Sequence, residues 1–458
     1  MRMFQFDILP ALMKILGAIL LFIFKGIFDI FTRPNTDETT ETPPIQPIDE
    51  RIQSDNTRGF TLGNGVAKNE NQDGHIMIVG GVGSGKSSCL AIPSLITWKS
   101  SVFAIDIKGE LHAKTKHSPH RRIKIFNPLD PNTIGYDPFF LLRHATNQVQ
   151  EAQAIAHALI PLPPRTDDPF WIQSAQSLFT GAILHFFNMG FTFIDTTTAI
   201  LDTKITELIE EISTSETEAA RRFIAGFLDM KPQTVSSIFM VLSNQIIIFA
   251  TDENIKNALT KRGTKATPTL LELDMDIYIC IPEHLLKQWK NLLTLMVSQF
   301  LSHFEKRPDA KSKPILFLLD EFARLGKIEG IVDGLATLRS KKITIAIILQ
   351  SLAQLDLHYG KESRQVIADT CQYKAVLNVT DVESQEYFSK AVGTYDKIRA
   401  IKSQQYDRIT GFKSGSSVAT MSEDKPIIKP HEFATLEHIV LLTPFGAYKV
   451  DKRPYYET

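Results

Sequence analysis

Residues 75–88 read His-Ile-Met-Ile-Val-Gly-Gly-Val-Gly-Ser-Gly-Lys-Ser-Ser, an apolar run that passes at Gly80 to Ser87 into the spacing G-x-x-x-x-G-K-[ST]. Ile76 to Val79 has the pattern of a buried strand and Ser87 to Thr97 that of a helix, so the glycines join a strand end to a helix N-terminus. Backbone amides freed of side chains can approach an anion there, and the helix dipole favours negative charge at the same place. The residues expected around the phosphates of ATP are therefore Gly80, Gly81, Val82, Gly83, Ser84, Gly85, Lys86, Ser87 and Ser88. Lys86 reaches the β- and γ-phosphate oxygens in this arrangement, and the Ser87 hydroxyl ligates Mg²⁺. A glycine turn that binds nothing has no need of a strand before it and a helix after it.

A second apolar strand, Ile315 to Leu319, ends in Asp320-Glu321. Beside a phosphate loop, Asp320 is the expected holder of Mg²⁺ through its water shell, and Glu321 the residue that polarises the attacking water. The two motifs support each other because open α/β sheets bind ligands at the carboxyl ends of their strands. Gln350 ends the apolar run Thr344 to Leu349 and falls near the γ-phosphate if that strand is a neighbour. Arg339, in Leu338-Arg339-Ser340-Lys341-Lys342, reads either as a solvated basic turn or as the positive charge a phosphoryl-transfer transition state requires, delivered to a neighbouring subunit.

Working outward, β-like runs at 75–79, 102–105, 123–126, 276–281, 315–319, 344–349 and 375–379 alternate with helical patterns, which predicts a mostly parallel sheet covered on both faces. Residues 58–167 and 256–458 are the two parts of this α/β nucleotide-binding domain, and 168–255 reads as an all-α insertion. Acidic residues gather on the insertion at Asp202, Glu207, Glu210, Glu211, Glu216 and Glu218, which reads first as a solvated helix face and second as a docking surface. Leu285 to Phe304 predicts a core helix. Thr380-Asp381-Val382-Glu383 predicts a capped helix start with a stop at Gly393, and Lys397 to Asp424, polar and without periodicity, an exposed loop.

The chain of 458 residues carries a formal net charge of -1, so it has no global basic field; nucleic acid would have to be met by local patches or a channel built from several subunits. The densest basic stretch is Lys114, Lys116, Arg121, Arg122 and Lys124, which reads equally as a phosphate-backbone contact or a solvated turn. Cys89, Cys280 and Cys371 lack metal-site spacing and read as buried thiols of a reducing compartment. Ile8 to Phe31 is almost wholly apolar, with Asp7, Lys14, Lys25 and Asp29 on one helical stripe. Residues 1–32 are thus expected to anchor the chain at a membrane, as a single transmembrane or an interfacial helix. Residues 33–57, rich in Pro, Thr, Asp and Glu, are expected to be a flexible tether.

Gly80 to Ser87 with Ile92-Pro93 and Trp98, Ala104-Ile105-Asp106-Ile107-Lys108-Gly109-Glu110, Asp168-Pro169-Phe170-Trp171, Asp320-Glu321-Phe322-Ala323, Ile348-Leu349-Gln350-Ser351 with Gln354-Leu355, and Pro426-Ile427-Ile428-Lys429-Pro430 together resemble the type IV secretion coupling proteins, the TraG-like conjugative DNA-transfer ATPases. The resemblance covers about residues 58 to 458. It implies a RecA-like P-loop fold, a homo-hexamer at the cytosolic face of the cytoplasmic membrane, and ATP hydrolysis with Mg²⁺. The implied partners are single-stranded transfer DNA, a relaxase or relaxosome, and the components of a type IV secretion channel. It also implies catalytic roles for Lys86 and Glu321, a trans-acting finger at Arg339, a nucleotide sensor at Gln350 and a cargo-recognising role for the all-α part. Family members usually carry two membrane helices; this sequence is expected to have room for one at most. A receptor for protein effectors and a nucleotide-binding docking scaffold with little motor activity are the alternatives.

Overall fold

Strands buried on both faces are apolar along most of their length, and the runs named above are, apart from His75, Lys124, Asp276, Thr344 and Asn378. The computed structural model describes residues 47–55, 57–309, 312–406 and 413–457; the segment expected as an anchor and most of the expected tether lie outside them. The strands are β1 (Phe60–Gly63), β2 (Val66–Lys68), β3 (Ile76–Val79), β4 (Ser101–Asp106), β5 (Ile123–Phe126), β6 (Asp276–Cys280), β7 (Ile315–Leu319), β8 (Ile343–Leu349), β9 (Tyr373–Val376), β10 (Thr394–Tyr406), β11 (Lys413–Pro426), β12 (Ile439–Thr443) and β13 (Gly446–Val450).

Among the described residues, nine strands form one sheet in the order β13-β12-β9-β3-β8-β7-β4-β6-β5. The seven from β9 to β5 are mutually parallel, while β12 pairs antiparallel with both β9 and β13. Period-2 alternation splits the buried side chains between two layers. Met77, Val79, Phe103, Ile105, Phe317, Leu319, Ile345 and Ile347 face one layer, and Ile76, Ile78, Val102, Ala104, Leu316, Leu318, Ala346 and Ile348 the other. The first layer is closed by the Leu286–Glu305 helix, whose Trp289, Leu292, Leu293, Met296 and Phe300 are buried as their spacing predicts. The second is closed by the Ile92–Thr97 helix and the β1–β2 hairpin.

Between β5 and β6 the chain is helical throughout, from Phe140–His144 to Pro268–Glu272. This run begins before residue 168, and the expected end at 255 cuts through the Glu253–Thr260 helix, whose N-cap Asp252 accepts from Asn254 and Ile255 N–H. The Pro232–Thr251 helix is long and apolar enough to cross a membrane, yet it buries Val235, Ile238, Leu242, Ile246 and Phe249 in the protein core. Burial pushes Arg121 out of the solvated-turn reading. It pairs with Asp276 at 2.7 Å, with side chains 1% and 5% exposed, and its Nε donates to Leu95 O at 2.7 Å.

Two further expectations are corrected. Part of the supposed tether is folded: Asp49 caps a turn at Glu50–Ile52, Ile52 is fully buried, and Gln53 bridges to Val66. A single apolar residue among polar neighbours leaves no compositional trace. Lys397 to Asp424 is not a loop: β10 and β11 form a long antiparallel ribbon, in register from Thr394↔Pro426 to Tyr406↔Lys413 with one irregularity at Gln405. Its ladder satisfies backbone groups locally, so a polar sequence without alternation can form it. The Val382–Val392 helix stops at Gly393 as expected, whereas its cap is Asp381, whose carboxylate accepts the Ser384 N–H at 2.9 Å.

Candidate nucleotide and hydrolysis site

Parallel register brings the carboxyl ends of β3, β8, β7 and β4 to one edge of the sheet, in that spatial order. The loop after β3 is tied to its neighbours by the backbone: Gly80 N–H donates to Leu349 O at 3.1 Å, Gly81 N–H to Asn378 O at 2.6 Å, and Leu377 N–H to Val79 O at 2.8 Å. Gly80 has no room for a side chain, since a Cβ would stand 2.6 Å from Ser84 Oγ and 2.9 Å from Leu377 Cβ. Gly85 is in the left-handed region at φ 99°. These constraints explain the glycines without reference to a ligand, and with the Gly80 and Gly81 amides committed to neighbouring strands, an anion would have to be met by the amides further along the loop.

The helix after the loop departs from expectation. Lys86–Ala91 forms a π-helical turn before Ile92–Thr97 becomes α-helical, and Ile92 N–H reaches five residues back to Ser87 O. Pro93 is the cause we identify: it has no N–H, and its ring crowds the carbonyl of Cys89 four residues earlier. The turn widens to relieve that contact, within reach of the phosphate loop. Lys86 folds back over its own loop and donates through Nζ to the carbonyls of Gly80 and Gly81. Burial lowers its pKa, opposed by Glu321 and Asp320, so the ammonium faces the two carboxylates across the strand ends. Ser84 Oγ is buried without a partner.

Asp320 and Glu321 follow β7, and both are buried. Burial, reinforced by the Glu321 charge, pushes the Asp320 carboxyl up to about 6, the environment of an acid that awaits a cation. Glu321 is one of three non-glycine residues at positive φ among those described, at φ 48°. Its N–H donates to Asp320 Oδ1 at 3.0 Å, and its carbonyl accepts from Arg324 N–H at 2.8 Å. Gln350, at the end of β8, donates through Nε2 to Glu321 Oε2 at 3.1 Å. Because β8 lies between β3 and β7, Gln350 stands between the phosphate loop and the carboxylates.

Lys86, Asp320, Glu321 and Gln350 are thus brought together with Gly80 to Ser88. Arg339 is not. It sits exposed on the Leu338–Lys341 turn that precedes β8, at the opposite edge of the sheet. Seven residues of strand separate it from Gln350, roughly 20 Å at an ordinary strand rise. Within one subunit it cannot touch a nucleotide held by the loop after β3.

Three residues at this edge had no assigned role in the sequence. Asp106 ends β4, next to β7; it is fully buried, its Oδ2 accepts the His112 N–H at 2.8 Å, and its Oδ1 has no partner. Lys108 Nζ lies 3.7 Å from Glu321 Oε1. Gln354 Oε1 accepts the Gln350 N–H at 3.4 Å. The signal for Asp106 and Lys108 was a strand ending in Asp-x-Lys-Gly, but only the adjacency of β4 and β7 gives it meaning.

Mg²⁺ is usually held by one or two carboxylates together with substrate phosphates and water, so Asp320 and Ser87 fit it without a protein cage. No group of three or more His, Cys, Asp or Glu among the described residues forms such a cage.

Residues 45–458 match the model of a family described as Type IV secretory system Conjugative DNA transfer. The chain is 26% identical over 403 residues to protein VirD4 of Rhizobium rhizogenes, covering 83% of this chain and 58% of that protein. It is 23% identical over 379 residues to the conjugal transfer protein TraG of Rhizobium radiobacter, covering 78% and 58%. The chain therefore spans under two thirds of the length of these relatives. Among solved structures, the plasmid coupling protein TrwB bound to a non-hydrolysable ATP analogue superposes with a TM-score of 0.68 at 17% identity, covering 90% of this chain and 95% of that one. TrwB with ADP and Mg²⁺ gives 0.68 at 16%, covering 88% and 90%. These likenesses show a shared fold.

Proposed function

The chain belongs to the type IV secretory system conjugative DNA transfer family, and from that premise we propose that it is an ATP-driven motor that moves DNA into a secretion channel. The observation that carries the proposal is the convergence of Lys86, Asp320, Glu321 and Gln350 at one sheet edge, with the Glu321 carboxylate held by Gln350. ATP binds with its phosphates against the Gly80 to Ser88 loop, and Lys86 leaves the Gly80 and Gly81 carbonyls for phosphate oxygens. Mg²⁺, held by Ser87 and Asp320, supplies charge to the phosphates. Glu321 orients and activates the attacking water, and Gln350 links its carboxylate to the state of the γ-phosphate. The nucleotides in the TrwB structures are consistent with this chemistry.

Arg339 completes the site of a neighbouring copy, which requires a ring of subunits; a homo-hexamer at the cytoplasmic membrane, anchored by residues 1–32, satisfies this. The cargo is transfer-strand DNA delivered with a relaxase. The test is ATP turnover by the purified full chain in detergent, with and without single-stranded DNA, beside Lys86→Ala. Turnover stimulated by DNA and abolished in Lys86→Ala, at unchanged unfolding temperature, supports the proposal. Near-wild-type turnover in Lys86→Ala removes the site assignment.

A further inference from the structure

The carboxylate of Glu321 is met at its two oxygens by groups that follow two different strands, one hydrogen-bonded and one an ion-pair neighbour. Oε2 accepts from Gln350 at the end of β8, and Oε1 lies 3.7 Å from Lys108 Nζ beyond the end of β4. Lys108 is 46% exposed on its side-chain surface, while Glu321 is 7% exposed, so a cation on a flexible stem reaches inward to a buried anion. Its backbone is fixed on either side. The Asp106 carboxylate accepts the His112 N–H in the first turn of the Glu110–Thr115 helix, and Gly109, its N-cap residue, takes the left-handed conformation at φ 68° that turns the chain into that helix.

Three carboxylates, Asp106, Asp320 and Glu321, meet at these adjacent strand ends, and the cations that face them are Lys86 and Lys108. Arg324 is turned away, paired with Glu283. Lys86 is committed to the loop carbonyls and, on the reading above, to phosphate. That leaves Lys108 as the charge available to Glu321 throughout the cycle.

We infer that Lys108 is a positioning residue for ATP hydrolysis, which together with Gln350 fixes the Glu321 carboxylate toward the attacking water. The inference rests on the ATPase function proposed above. A partly exposed ion pair contributes little to stability, so the effect of Lys108 lies in orientation rather than folding. One missing constraint on a reacting group costs rate and leaves ground-state binding intact.

The experiment is a double-mutant cycle on the full chain, with single-turnover hydrolysis and fluorescent-nucleotide binding measured for wild type, Lys108→Met, Lys108→Arg, Glu321→Gln and Lys108→Met/Glu321→Gln. Lys108→Met should slow hydrolysis by about three- to tenfold with nucleotide affinity within about twofold, and Lys108→Arg should recover most of the rate. In the Glu321→Gln background the same change should cost less than about twofold, because the carboxylate that Lys108 positions is then gone, although Asp320 and Asp106 remain. Wild-type rates in Lys108→Met, or the same loss with and without Glu321, overturn the assignment while leaving the motor intact. A wild-type chain that hydrolyses no ATP overturns both together.

Discussion

Glu321 carries a local backbone cost at φ 48°. A non-glycine residue in the left-handed region costs about 1–3 kcal/mol, and here the backbone bonds to Asp320 and Arg324 hold it there. The conformation aims the carboxylate at Gln350 and Lys108. Glu321→Gln keeps the shape and removes the charge proposed to activate water, so hydrolysis should fall by more than about tenfold with little change in ATP affinity. Single-turnover hydrolysis and nucleotide binding, measured on the same protein, check this; lost affinity with unchanged residual chemistry would contradict it. At this scale the sequence was legible where spacing alone defines a motif, at Gly80 to Ser87 and at Asp320-Glu321. Lys108, Asp106 and Gln354 were not, because their roles depend on which strands are neighbours, and strand order is not written in any local pattern.

The Leu338–Lys341 turn presents Arg339 and is fastened around it. Asp309 accepts from Ser340 Oγ at 2.7 Å and pairs with Lys341 at 2.7 Å; Arg307 donates to Lys341 O at 2.9 Å, and Lys342 pairs with Asp73 at 3.1 Å. An exposed arginine on a fixed turn, remote from its own phosphate loop, suits delivery to another subunit. Inactive Arg339→Ala and inactive Lys86→Ala should therefore partly restore ATP turnover when co-assembled, and confirmed mixed assemblies without rescue at any ratio would return Arg339 to a solvated turn. The end of β2 offers a separate test. Lys68 is fully buried, donates to Gln72 O and Thr344 Oγ1, and has its pKa lowered by burial to about 7. Between about 7 and its ordinary value of 10.5 the unfolded chain holds a proton that the folded chain does not, so this group makes stability rise with pH across that window. Lys68→Met removes the slope: the stability of the variant relative to wild type should decline from pH 7 to pH 9 in denaturant titrations, and a pH-independent difference would contradict the burial argument. Elements buried on both faces were the legible ones, since continuous apolar runs mark parallel strands. The β10–β11 ribbon was not, because a polar ladder satisfied by its own backbone leaves no periodicity to read.

For the whole molecule, folding begins within the stretch the composition assigned to a tether. Removing residues 1–46 should leave the unfolding temperature of the α/β core unchanged, whereas removing 1–56 takes away Ile52 and the Gln53–Val66 bridge. Losing one fully buried aliphatic side chain costs about 1.5–3 kcal/mol, so the longer deletion should unfold several degrees lower by calorimetry; equal unfolding temperatures would show that residues 49–54 contribute nothing. Both deletions should lose the membrane attachment proposed for residues 1–32, visible by fractionation. The claim that joins these scales is that ATP hydrolysis at the carboxyl edge of the sheet drives DNA transfer. It is tested most directly by deleting the chain from a donor cell, measuring conjugative transfer, and complementing with wild type, Lys86→Ala or Glu321→Gln at matched protein levels. Transfer restored by wild type alone is the predicted result; transfer restored to wild-type frequency by Lys86→Ala would contradict the account.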